Sequence, residues 1–263
     1  MGDALAVYLA LGASAGLLAG LFGVGGGLII VPVLAWVFTG QGMDAAVIMH
    51  LAIGTSLASI WLTSLMSIRA HHQRGAVHWP LVQKLAVGIV IGALAGSVIA
   101  DQLPTHALQR IFGVFELFVA AQMLLVSRFE AHFNLPGRLG LTLAGAVIGV
   151  VSAIIGIGGG TLTVPFLVWC RIPMLQAVAT SAACGLPIAI AGAFGFILSG
   201  WNVPQLPEWS TGYLYWPAWL GIVLASSLTA GLGARLAHKL PATRLRQLFA
   251  LLLMGMGLKM LMG

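Results

Sequence analysis

Two glycine-rich strings contain the residues whose backbone could bind a ligand. Glycine tolerates positive φ angles, and the first turn of a helix carries unpaired N–H groups at the positive end of its dipole. A glycine string that opens a helix therefore predicts an anion-binding site. The first string, GVGGGLIIVP, contains Gly23, Gly25, Gly26 and Gly27, and the second, GIGGGTLTVP, lies 133 positions later and contains Gly156, Gly158, Gly159 and Gly160.

Serine and threonine hydroxyls near the strings add candidate ligands, because a hydroxyl donates to an anion without bringing a buried charge. Two alternatives remain: the glycines only permit close helix packing, and the hydroxyls bond only to their own helices. Leu28 and Ile30 of the first string stand where the second has threonines, so the two strings are expected to be chemically unequal. The candidate hydroxyls are those of Thr55, Ser56, Thr161, Thr163, Thr180 and Ser181.

Glu116 is the one carboxylate in the middle of a predicted membrane segment, and its neighbours on both sides are uncharged. Such a residue is a functional candidate by default, here as the carrier of a coupled proton. Two alternatives stay open. It is a neutral, hydrogen-bonded structural acid, or it pairs with Arg110 or Lys84 across a helix interface.

Other arrangements of reactive residues are missing from the sequence. No Ser-His-Asp, Cys-His or paired-carboxylate pattern has a readable spacing, so we expect neither an enzyme nor a cofactor. The histidines at 71, 72 and 78 match no metal template and indicate a solvated basic loop, so no metal site is expected. An aromatic belt at the membrane interface is predicted from Trp201, Trp209, Tyr213, Tyr215, Trp216 and Trp219.

The composition places these residues in a lipid bilayer. The 263-residue chain is 60% hydrophobic and 7% charged, with a mean hydropathy of +1.04, so it has too few charges to cover a water-facing surface. Its basic residues are scattered, which argues against nucleic acid as a partner. Cys170 and Cys184 lie in apolar surroundings and are expected to be free thiols.

Hydropathy divides the chain into eight long apolar segments and two short ones. A helix needs about 20 residues to cross the hydrocarbon core, and the short segments directly after the glycine strings fall below this length. The long segments are 4–22, 45–68, 81–100, 108–126, 139–155, 176–198, 214–236 and 245–262, and the short ones are 27–39 and 160–171. We therefore expect an all-α integral membrane protein, a polytopic helical bundle in which the short helices are truncated or broken.

The order of segments repeats, which divides the one membrane domain into a first repeat at 1–130 and a second at 131–263. We count the long and short segments of each repeat together in chain order. Basic residues then follow the third segment of the first repeat, near Arg74, but the fourth segment of the second, near Arg244. The positive-inside rule then predicts an inverted repeat of five plus five segments, with Asp3 outside. If the short segments were re-entrant loops, the repeats would be parallel.

The sequence resembles the sulfite exporter TauE/SafE family, also called the 4-toluene sulfonate uptake permease (TSUP) family. The resemblance rests on the twin glycine strings, on GTS at 54–56 and ATS at 179–181, and on the loop HQRGAV at 72–77. It covers nearly the whole chain. It implies a multi-pass transporter of the bacterial plasma membrane that moves sulfite, sulfonates, sulfoacetate or related small anions.

The sequence thus predicts a secondary transporter for a small anion that works by alternating access. An intramembrane helix start can attract an anion, and inverted repeats place two such starts near the middle of the bilayer. The alternatives are a carrier or channel for another solute, such as a metal cation, and a membrane scaffold without transport.

Overall fold

The computed structural model describes residues 2–22, 26–125, 134–237 and 242–262. This part of the chain forms ten α-helices and one small β-hairpin. The predicted all-α membrane fold is confirmed. The helices of the first repeat are α1 (Gly2–Phe22), α2 (Gly27–Gly40), α3 (Ile48–Gln73), α4 (Trp79–Asp101) and α5 (Thr105–Leu125). The second repeat contains α6 (Arg138–Ile155), α7 (Gly160–Trp169), α8 (Met174–Ser199), β1 (Ser210–Thr211), β2 (Leu214–Tyr215), α9 (Trp216–Ala237) and α10 (Ala242–Met262).

Length and hydropathy make this a multi-pass membrane protein. Among the described residues, five helices are long and apolar enough to cross a bilayer, namely α3, α4, α5, α6 and α8. The short segments are also confirmed as helices: α2 has 14 residues and α7 has 10. At about 1.5 Å per residue, α7 is only about half as long as the hydrocarbon core is thick.

Proline and glycine set several helix boundaries. Pro80 lies in the first turn of α4, where a missing N–H removes no hydrogen bond. Gly156 follows α6 with a φ of 78°, a left-handed conformation that ends the helix and favours glycine. The second glycine string thus begins with a chain reversal that leads into α7.

The two halves interlock through helices from opposite repeats. The most extensive contacts pair α1 with α9 and α4 with α6, and further large interfaces join α3 to α8, α4 to α8 and α5 to α10. Under exchange of the repeats, α1 and α9 become α6 and α4, so the two largest interfaces are equivalent. The bundle therefore has the contact pattern of two related halves that share one core.

Glycines allow the closest of these interfaces. A Cβ on Gly92 of α4 would lie 2.1 Å from the Ala146 oxygen of α6, and a Cβ on Gly12 of α1 would lie 2.7 Å from Ile222 of α9. No side chain fits in this space. Glycines four residues apart, namely Gly12 and Gly16 in α1 and Gly88, Gly92 and Gly96 in α4, thus form close-packing faces.

Helices α3 and α8, which are equivalent in the two repeats, run antiparallel. Gly192 of α8 lies beside Leu57 of α3, and Gly185, about two turns earlier in α8, lies beside Ser64, about two turns further along α3. Five crossings per half place equivalent helices in opposite directions, whereas four crossings would make them parallel. The direction agrees with an inverted repeat, whose orientation in the bilayer stays a prediction.

We expect Gly92→Ala to destabilise the protein. The new methyl group must push α4 and α6 apart, and overpacking of this kind costs about 1–3 kcal/mol. Thermal unfolding of the purified protein in detergent measures the effect as a lower midpoint temperature.

The matched control is Gly255→Ala in α10. A Cβ at Gly255 meets nothing within 4 Å, so this variant should unfold at nearly the wild-type temperature. Equal midpoints for the two variants would contradict close packing between α4 and α6.

Candidate functional site

The short helices begin at the glycine strings, as predicted. Gly26 and Gly159 are the residues before α2 and α7, and neither helix start is capped by a side chain. The predicted ligands Gly23 and Gly25 lie outside the described residues. Because a glycine carries no side chain, the amides of the first helical turn are open to whatever lies in front of them.

The start of α2 lies against the second glycine string. A Cβ on Gly27 would lie 2.6 Å from the carbonyl oxygen of Gly156 and 2.9 Å from the Cα of Ile157. Ile60 of α3 packs against both strings: its methyl groups lie 3.2 Å from the Cβ position of Gly27 and 3.4 Å from that of Gly158. The fold therefore brings the two strings together, although they are more than 100 residues apart in sequence.

Close packing, one of the alternatives for the strings, accounts for two of these glycines. Besides Gly27, a Cβ on Gly159 would lie 2.7 Å from the carbonyl oxygen of Ser181 and 3.0 Å from the amide nitrogen of Gly185. Both positions need glycine for steric reasons alone. The role of the glycines as anion ligands stays a prediction.

The first turn of α7 carries hydrogen-bond donors without acceptors. The described part of the chain offers no hydrogen-bond acceptor to the amides of Gly160, Thr161 and Leu162. The hydroxyls of Thr161 and Thr163 are buried and also lack a partner among the described residues. Gly160 remains partly accessible, so this helix start is not sealed by packing. Side chains in a helix lean toward its N-terminus, so both threonines reach toward this end, from opposite sides of the helix because they are two residues apart.

The hydroxyls of the GTS and ATS motifs have protein partners. Ser56 donates to the Gly156 oxygen at 2.9 Å and so ties α3 to the second string. Ser181 donates to the Val178 oxygen of its own helix at 2.8 Å, as the local alternative predicted. In this conformation neither serine is free to bind a ligand, and their predicted role as ligands stays untested.

The two threonines of these motifs form equivalent bonds between the halves. The Thr55 oxygen accepts from the N–H of Tyr215 at 3.1 Å, and the Thr180 oxygen accepts from the N–H of His78, also at 3.1 Å. Tyr215 and His78 hold the same position in the two YWP and HWP repeats, just before α9 and α4. We call these two hydrogen bonds the threonine ties.

Sequence reasoning missed Ser152, one turn before the second string. Its hydroxyl is buried without a partner in the described residues, and its carbonyl accepts from the amides of Gly156 and Ile157. The equivalent residue of the first repeat is Ala19. A polar residue that occurs in only one repeat could therefore have identified Ser152 as a candidate.

Sequence reasoning also misplaced Tyr213. Its side chain is only 4% exposed, so the predicted place in an interfacial belt is wrong for this residue. The hydroxyl donates to Asp101 at 2.8 Å and the ring stacks on His50 with centroids 4.9 Å apart. Burial, together with the hydrogen bond to Asp101, raises the pKa of Tyr213, so this phenol stays neutral. The β1–β2 hairpin carries Tyr213 inward between α3 and α8.

Glu116 lies in a separate place, between α5 and α10. It is fully buried, and its Cβ lies 3.1 Å from the Cβ position of Gly257. Both carboxyl oxygens lack a hydrogen-bond partner among the described residues, and neither Arg110 nor Lys84 forms an ion pair with it there. The pairing alternative therefore does not describe this conformation.

Known proteins of similar sequence agree with the membrane architecture. The sulfite exporter TauE/SafE family matches residues 8–260. A probable membrane transporter protein of Haemophilus influenzae is 38% identical over 253 residues, which cover 96% of each chain. A probable membrane transporter protein of Methanocaldococcus jannaschii is 26% identical over 98% of this chain and 96% of its own. No solved structure matches. With a match over nearly its whole length, this chain belongs to the sulfite exporter TauE/SafE family of membrane transporters.

Proposed function

We propose that this protein is a secondary transporter that moves a small anion, such as sulfite, a sulfonate or a related oxyanion, by alternating access. The observation that carries the proposal is the first turn of α7, where three amides and two buried hydroxyls have no acceptor in the described residues. A bound anion would supply the missing acceptors.

The energetics favour an anion as the missing partner. Each buried donor without a partner costs about 1–3 kcal/mol, and hydrogen bonds to a charged acceptor are stronger than neutral ones. The helix dipole adds attraction for negative charge at the same point. These groups bind an anion without a buried lysine or arginine, so an empty site leaves no uncompensated charge in the bilayer.

The threonine ties support alternating access. From the register of α3 and α8, Thr180 lies about 14 residues from Thr55 along this helix pair, which corresponds to roughly 20 Å. The two bonds thus hold loops at opposite ends of the same helix pair. Because both are formed, we infer that this conformation is closed at both ends, and that transport breaks one tie at a time.

Purified protein in liposomes should take up radiolabelled sulfite or methanesulfonate with saturation. The double variant Thr161→Val and Thr163→Val removes two hydroxyls without changing side-chain size. We expect its half-saturation concentration to rise by about a hundredfold or more, since each of two hydrogen bonds to a charged group contributes about 1.5–3 kcal/mol.

The control for this variant is Thr39→Val at the far end of α2, whose hydroxyl bonds only to Ala35 of the same helix. Its uptake should equal that of the wild type. Unchanged uptake in the double variant would refute the site, and uptake of a divalent cation instead of any anion would support the alternative function.

The threonine ties predict two opposite labelling patterns. Loss of a hydrogen bond worth about 1 kcal/mol shifts a two-state equilibrium about fivefold. We expect Thr180→Val to speed labelling of buried Cys184 by an impermeant thiol reagent from the side of the His78 loop. Thr55→Val should speed it from the opposite side.

The serine substitutions Thr180→Ser and Thr55→Ser keep the accepting oxygen and should label at the wild-type rate. Cys170→Ser in all proteins leaves Cys184 as the single thiol. If both valine variants were labelled from the same side, the ties would not be gates for the two faces.

We propose that Glu116 carries the coupled proton. A buried carboxyl group without a partner gains or loses a proton only when its surroundings change, which links protonation to a change of conformation. We expect Glu116→Gln to remove the stimulation of uptake by an imposed pH gradient while anion exchange continues. Glu208→Gln changes an exposed loop carboxylate and is the control. Full pH dependence in Glu116→Gln would exclude the proton role.

A further inference from the structure

The starts of the two short helices differ at equivalent buried positions. At the 133-residue spacing, Leu28 and Ile30 of α2 correspond to Thr161 and Thr163 of α7. All four side chains are at least nine-tenths buried. The backbone of the helix start repeats, but its side chains are apolar in α2 and polar in α7.

The Ile30 side chain packs beside the start of α2. Its Cδ1 lies 2.8 Å from the Cβ position of Gly26, one helical turn earlier, so a methyl group lies beside the residue that precedes the helix. An anion on this side of the helix start would meet a methyl group and no hydrogen-bond donor. Thr163 is the equivalent residue of α7, and it carries a hydroxyl without a partner in the described residues where Ile30 carries a methyl group.

The space between the two helix starts is also apolar. Ile60 contacts both glycine strings, at 3.2 Å from the Cβ position of Gly27 and 3.4 Å from that of Gly158. A second charged group on a solute held at α7 would meet the apolar side chain of Ile60. Burying a charge among such side chains without a partner is strongly unfavourable.

We propose that the anion site is one-sided: α7, with Thr161 and Thr163, binds one charged group, and α2 supplies only apolar contact. The transporter therefore selects anions with a single charged group, such as alkanesulfonates or monocarboxylates, over anions that carry a charge at each end. This inference rests on the proposed function, because it specifies the solute of the same site.

Competition for uptake of radiolabelled methanesulfonate into proteoliposomes tests the selection. Ethanesulfonate carries one charged group, whereas sulfoacetate and ethane-1,2-disulfonate carry two. We expect ethanesulfonate to compete at a concentration about tenfold lower than either two-headed anion. The reason is that burying the second charged group without a partner is strongly unfavourable.

Two matched variants test the unequal roles of the helices. Thr163→Val should raise the half-saturation concentration for methanesulfonate about tenfold, whereas the same substitution in α2, Thr39→Val, removes a hydroxyl far from the helix start and should change it less than about twofold. The hydroxyl of Thr163 has no partner in the described residues, so Thr163→Val should unfold at a temperature at least as high as the wild type. That result separates a binding defect from misfolding.

Equal competition by one-headed and two-headed anions, or equal loss in the two variants, would overturn the one-sided site and leave anion transport standing. If no anion were taken up with saturation, the proposed function itself would fail, and the inference with it.

Discussion

The structure depends on one constraint: peptide groups that leave a helix inside a bilayer must find partners within the protein. Each repeat interrupts its helices at a glycine string, and in the described residues some of the partners near these interruptions come from the other half. Ser56 binds the Gly156 oxygen, Thr55 accepts from Tyr215, and Thr180 accepts from His78. Hydrogen bonds of this kind therefore join the two halves.

Glycine has two physical consequences in this fold. Along α4 and α6 it lets backbones approach without side chains between them, which is a packing function. At the strings it also leaves the starts of α2 and α7 uncovered by side-chain caps. Steric need explains Gly27 and Gly159, but it does not explain why the buried hydroxyls of Thr161 and Thr163 beside them have no partner in the described residues.

Duplication supplies two similar frameworks, and side chains distinguish them. The largest interfaces and the threonine ties are equivalent in the two repeats. The residues over the two short helices are not, and Glu116 corresponds to Leu253 in the second repeat. The solute-binding groups of such a protein are therefore sought where the repeats differ, whereas the shared threonine ties act on both ends of the α3–α8 pair alike.

The sequence by itself determined the membrane class, the repeated order of segments and the short helices, predicted at 27–39 and 160–171 and found at 27–40 and 160–169, because hydropathy, glycine and proline act locally along the chain. Only the tertiary structure decided which polar groups are satisfied. Thr55, Ser56 and Thr180 resemble ligands in the sequence, yet their partners lie at least 100 positions away. Tyr213 resembles an interfacial aromatic, but a hairpin carries it into the core. Hydrogen bonds between distant segments depend on packing that no local pattern encodes.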